Sequence, residues 1–79
     1  MNNPVEMARF TARVALEALA AVRGGFVQNR EGMTEITTVT TRAVTKTVNE
    51  RCTDSELPES AVSRIVEFEA SGMYTVVSR

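Results

Sequence analysis

The chain has 79 residues, a net charge of −1, an apolar fraction of 43% and an aromatic share of 5%, which is the composition of one small globular domain. Near-neutral charge without long runs of one sign argues against a dedicated nucleic-acid binder and against an acidic DNA mimic. Histidine is absent and Cys52 is the single cysteine, so a His-based catalytic dyad, a Cys/His zinc site and an intramolecular disulfide are excluded, and a reducing, cytoplasmic setting is expected.

The first element is a helix from Pro4 to Arg23. Ala, Leu, Met, Glu and Arg dominate it, and no Gly or Pro interrupts its interior. Asn3 is placed to cap the N-terminus, with Pro4 at the first helical position, and Gly24-Gly25 supplies the stop. Glu6, Arg9, Arg13 and Glu17 recur at steps of three and four and line one side. Most of the remaining circumference is apolar, more than one small domain can cover. Charges spread through the run argue against a membrane span and against a secretory signal peptide. A second copy covering the excess is therefore expected, with Phe10, Val14, Leu16 and Leu19 at the contact.

Phe26-Val27-Gln28 is expected to be a short strand or an extended connection, and Asn29-Arg30-Glu31-Gly32 a turn. Residues 33–51 carry conflicting signals. Seven threonines and three valines favour a strand. On a period of two, however, Ile36, Arg42, Val44, Lys46, Val48 and Glu50 share one side, mixing charge with apolar residues. A helical period separates Glu35, Thr38, Arg42, Thr45, Lys46 and Asn49 from Ile36, Thr40, Ala43, Val44, Thr47 and Val48. The spacing predicts a helix; a strand there would make the chain α+β.

Cys52 to Leu57 reads as a polar connection. Pro58 and Glu59 suit a helix start. Ser60, Ser63, Arg64, Glu67 and Ser71 form the wet side of that helix; Ala61, Val62, Ile65, Val66 and Phe68 face inward. Gly72 is expected as a left-handed C-terminal residue with Met73 beside it. Residues 73–78 are β-branched and strand-like, and need a partner: residues 26–28 of the same chain, or a second copy through Tyr74 and Val76. The fold expected is mainly α, a three-helix domain with a short β element.

No motif assigns a reaction. Glu67 and Glu69 diverge on a helix, and no pocket is evident near Glu56 and Glu59. Glu69 interrupts an otherwise apolar side and reads as a rim residue, with burial against an arginine, across a subunit contact, as the alternative. Cys52 lacks a base partner and is read as a structural thiol. No cofactor or metal is expected.

The candidate partner surface is Thr38, Arg42, Thr45, Lys46 and Asn49, side-chain types that bond phosphates and carboxylates. By elimination the expected function is a small non-enzymatic, homo-oligomeric protein-binding regulator or inhibitor. Compact domains of this kind are common among phage and mobile-element accessory proteins directed at host defence. The alternatives are a dimeric DNA-binding regulator using the helical hairpin over 36–71 and a structural assembly unit. Against the DNA reading, the connection from Cys52 to Leu57 is too long for a tight helix-turn-helix, and four glutamates would crowd the phosphates.

Overall fold

The computed structural model describes residues 3–52 and 57–77. Its elements are helix α1 (Pro4–Arg23), strand β1 (Val27–Asn29), helix α2 (Arg30–Arg51), helix α3 (Glu59–Met73) and strand β2 (Thr75–Val77). The expected three helices and short sheet are present, and residues 33–51 are helical. Their period outweighs their β propensity because only a helix brings their apolar residues to one side.

The helix packing rests on rows of residues four apart. In α1 the row is Ala8, Ala12, Leu16 and Ala20; in α2 it is Ile36, Thr40, Val44 and Val48, continued by Cys52; in α3 it is Val62, Val66 and Ala70, continued by Tyr74. All are buried. Such rows form ridges on a helix surface that fit between the ridges of a neighbour, and each helix packs against both others. The three alanines of α1 leave room for close approach. Toward one end the core joins Met7, Ala8, Ala12, Val44, Val48, Val62 and Val66. Toward the other it joins Leu16, Ala20, Ile36, Ala70 and Tyr74.

Helix ends follow local chemistry. The Asn3 side chain accepts from the Val5 and Glu6 amides at 2.9 and 3.3 Å, as expected of a cap. Gly24 takes φ 78°, and the Gly24 and Gly25 amides both donate to the Ala20 carbonyl. This left-handed turn favours glycine and ends α1 where the sequence places its stop.

Three local expectations need correction. Asn29 to Gly32 is not a free turn: Asn29 caps α2, its side chain accepting from the Gly32 amide at 2.6 Å, so the helix starts three residues before Met33. Pro58 is the N-cap of α3, without a side-chain cap bond, and the helix begins at Glu59. Gly72 is not left-handed; α3 runs through Met73 and stops at Tyr74, which is extended at φ −115°, ψ 147°. That exit sends the Tyr74 ring inward and the next residues into a strand. The expected connection from Cys52 to Leu57 includes residues 53–56, which lie outside the described residues.

The strand partner is within the chain. β2 pairs with β1 in parallel, with Val27 opposite Thr75, Gln28 opposite Val76 and Asn29 opposite Val77. Parallel pairing needs a long crossover, here provided by α2 and α3. The Thr75 amide also donates to the Phe26 carbonyl at 2.6 Å, and the Phe26 and Tyr74 rings lie 5.8 Å apart in a tilted arrangement.

Candidate interaction surface

The polar side of α2 is built as its period predicts. Thr38, Arg42, Lys46 and Asn49 are exposed. Thr45 is half-buried, and its hydroxyl oxygen is shielded without a hydrogen-bond partner among the described residues. The five residues do not share one concavity. Thr38 and Arg42 line a 380 Å³ hollow between α2 and α3 with Thr41, Glu59, Ser60 and Ser63. It adjoins a 510 Å³ groove through Thr38 and Ser63, where Arg30 and Glu67 bring charges of both signs. Lys46 and Asn49 line neither. The expected inner side of α2 shifts slightly: Ala43 is exposed, and Thr41, facing α3, is buried in its place.

The residues expected at an oligomer contact divide. Phe10, Val14 and Val76 are 60, 50 and 48% exposed. Leu19 is half-buried beside the core. Leu16 and Tyr74 are corrections: both lie inside this chain's own core, at 0 and 5% exposure. Leu16 belongs to the buried row of α1, and the Tyr74 hydroxyl donates to its main-chain carbonyl at 3.0 Å. Burial pushes the Tyr74 phenol above its ordinary value, with the Arg23 charge pulling weakly the other way.

The outward side of α1 is apolar. Phe10, Val14, Ala18 and Ala21 follow at steps of four, four and three and are all exposed, with exposed Glu17 beside them. Across the helix from this stripe toward α3, Glu69 is 7% exposed and accepts from Arg9 Nε and Arg13 Nε, each at 3.3 Å. Glu69 is therefore not a rim residue: the alternative holds, and the cations are a pair of arginines from the same chain. Its position follows from the period of α3, in which Val62, Val66 and Ala70 set the inward direction.

Phe68 is a further correction. Two residues from both Val66 and Ala70, it stands about 200° round the helix from each, and it is 70% exposed instead of facing inward. It lines a 380 Å³ surface hollow with Ile65, Arg64 and Arg9. Glu69 and Phe68 exchange the roles that hydropathy alone assigns them, because helix phase decides.

Cys52 is buried at the end of α2, its sulfur 3.8 Å from that of Met7, which gives the thiol a packing role. Among the described residues, no three potential metal ligands of the His, Cys, Asp and Glu types cluster. No described helix is long and apolar enough to cross a membrane. No protein-family model, curated protein or solved structure matches the chain.

Proposed function

We propose that this chain is a non-enzymatic protein-binding module that acts as a homodimer and engages another protein through the Phe68 surface. The observation that carries the reading is a largely exposed aromatic ring set beside two arginines, Arg9 and Arg64, over half-buried Ile65. Aromatic and arginine side chains are the types that dominate binding energy at protein interfaces. This patch lies on the α1–α3 side, separate from the apolar stripe of α1, so one molecule has room for a second copy and for a different partner.

The polar side of α2 supports a nucleic-acid reading less well. Arg42 shares its hollow with Glu59, and Arg30 shares the adjoining groove with Glu67. Carboxylates in both places repel a phosphate backbone.

The test is retention of a partner from nuclease-treated host lysate by tagged chain, compared with Phe68→Asp and with Arg64→Glu. One stoichiometric protein held by the wild type and lost by both variants is the expected result. A protein retained equally by all three removes the Phe68 patch from the reading. Nucleic acid retained only when nuclease is omitted, and lost in an Arg42→Glu, Lys46→Glu double variant, replaces it with the nucleic-acid reading.

A further inference from the structure

The homodimer in that reading has a definite seam and polarity. We infer that two copies pair through the outward sides of their α1 helices, packed antiparallel about Val14, with Phe10 of each chain over Ala18 of the other and Arg13 of each beside the other's Glu17.

Exposure identifies the seam. Val14 is half-exposed and Phe10 more so, although both other described helices already pack against α1 and Thr47 and Arg51 of α2 border the hollow that these two side chains line. Phe10, Val14, Ala18 and Ala21 advance at helical steps and form a continuous stripe along most of a 20-residue helix. A helix face of this kind is buried against another helix in folded proteins.

Side-chain size selects the polarity. The stripe is bulky at its N-terminal end, Phe10, and small at its C-terminal end, Ala18 and Ala21. An antiparallel mate sets each Phe10 ring over the other chain's alanines, and Val14 meets its own copy at the twofold axis. A parallel mate stacks Phe10 on Phe10 and leaves the alanine end unfilled. An isologous contact of this form closes at two copies.

Charge selects the same register. Arg13 and Glu17 are both exposed on one flank of the stripe. In an antiparallel pair with a twofold axis, each flank faces its own copy in reverse order, so Arg13 of one chain falls beside Glu17 of the other, twice per dimer. A parallel pair about a twofold axis instead sets this flank against the opposite flank of the other copy, where Thr11 and Ala15 carry no charge, and forms neither ion pair. Arg13 remains 54% exposed while its Nε holds Glu69, which leaves its terminal nitrogens available for Glu17 of the second copy. A partner of another sequence has no reason to match size and charge in one register; a second copy of this helix matches both.

The inference rests on the homodimer named above, and its test separates the two. The mass of the wild type and of Val14→Glu is measured by sedimentation, with circular dichroism to confirm the fold. Because Val14 is half-exposed in the single chain, the variant is expected to fold, and to sediment at the 8.7 kDa chain mass while the wild type sediments at twice that. Glu17→Arg is expected to weaken the dimer at least tenfold. Polarity is read by mild oxidation of Phe10→Cys and Ala18→Cys chains, Cys52 being buried. A disulfide that forms mainly between the two variants on mixing supports the antiparallel seam; disulfides that form mainly within each variant alone overturn it. A dimeric wild type whose Val14→Glu variant stays dimeric overturns the seam and leaves the homodimer standing. A wild type that stays at the chain mass at every concentration overturns both.

Discussion

The Tyr74 hydroxyl donates to the Leu16 carbonyl at 3.0 Å, tying the end of α3 to the middle of α1 across 58 residues of sequence. Tyr74 is also the only tyrosine, so its ionisation can be followed without interference. Burial raises its phenol above the ordinary value of 10.0, and the folded chain therefore holds the phenolic proton more tightly than the unfolded chain does. The resulting stability is fully present below about pH 10 and is lost as pH rises through the folded value. Tyr74→Phe keeps the ring and removes the bond, and is expected to cost about 1 kcal/mol at neutral pH. Its denaturation midpoint should also fall less than that of the wild type as pH is raised above 10. Guanidinium unfolding of both proteins in steps from neutral to strongly alkaline pH checks this, with tyrosinate absorbance reporting the titration. Parallel curves for the two proteins would remove Tyr74 as the source.

The Glu69 cluster is asymmetric, and so is the expected effect of breaking it. Glu69 is buried, whereas Arg9 and Arg13 are each about half-exposed. Replacing Glu69 with Leu leaves two guanidinium groups that water can solvate, and is expected to cost roughly 1 kcal/mol or less. Replacing both arginines with Ala leaves a buried carboxylate without a cation, and is expected to cost about 3 kcal/mol. Urea unfolding of the two variants gives the comparison. Equal losses would mean that the ion pairs contribute little and that packing of the arginine stems dominates.

What was legible in the sequence is what a helical period encodes. Asn3, Pro4 and the Gly24 stop bound α1 correctly, and the separation of Ile36, Val44 and Val48 from Arg42 and Lys46 identified α2 against its threonine content. Phase within a helix was harder to read. Phe68 looks like core by hydropathy, and its exposure follows only once Val62, Val66 and Ala70 are recognised as one row four residues apart. The same row turns Glu69 toward Arg9 and Arg13 of α1, although an isolated acid on an apolar side more readily suggests a rim position. Asn29 looked like a turn residue because asparagine serves turns and N-caps alike. Leu16 and Tyr74 looked like surplus apolar surface because nothing local shows that the chain's two ends meet. The parallel sheet is the least legible feature, since the register of Val27 with Thr75 depends on how α2 and α3 return the chain.

Thr40 occupies a core position that its row otherwise gives to Ile and Val. It is 1% exposed, and its hydroxyl has no hydrogen-bond partner among the described residues. Burying an unsatisfied hydroxyl is unfavourable, and valine has nearly the same shape without it. Thr40→Val is therefore expected to stabilise the chain by about 0.5–1 kcal/mol, a rise of several degrees in melting temperature for a domain of this size. Thr47→Val is the control, because the Thr47 hydroxyl donates to the Ala43 carbonyl at 3.0 Å and is not orphaned. Thermal unfolding that ranks Thr47→Val above Thr40→Val would mean that the Thr40 hydroxyl is satisfied in solution.

Two glycines lie inside helices, and their surroundings predict different outcomes for alanine. At Gly72, in the last turn of α3, an added methyl group meets nothing within 4 Å and the backbone is not left-handed. Gly72→Ala is expected to gain roughly 0.5–1 kcal/mol, the ordinary advantage of alanine within a helix. At Gly32, in the first turn of α2, the same carbon falls 2.7 Å from Gln28 Oε1 and 3.0 Å from Asn29 Oδ1. The Gln28 side chain can swing aside at little cost. Asn29 cannot do so freely, because the same oxygen accepts from the Gly32 amide and caps the helix. The helical gain at Gly32 should then be offset by a weakened cap, itself worth about 1 kcal/mol, leaving Gly32→Ala near neutral. Adding Asn29→Gly separates the two terms: with the capping oxygen already removed, Gly32→Ala should recover most of its ordinary gain. Chemical denaturation of the single and double variants measures that coupling directly, and strict additivity would show that the Asn29 contact does not restrain the site.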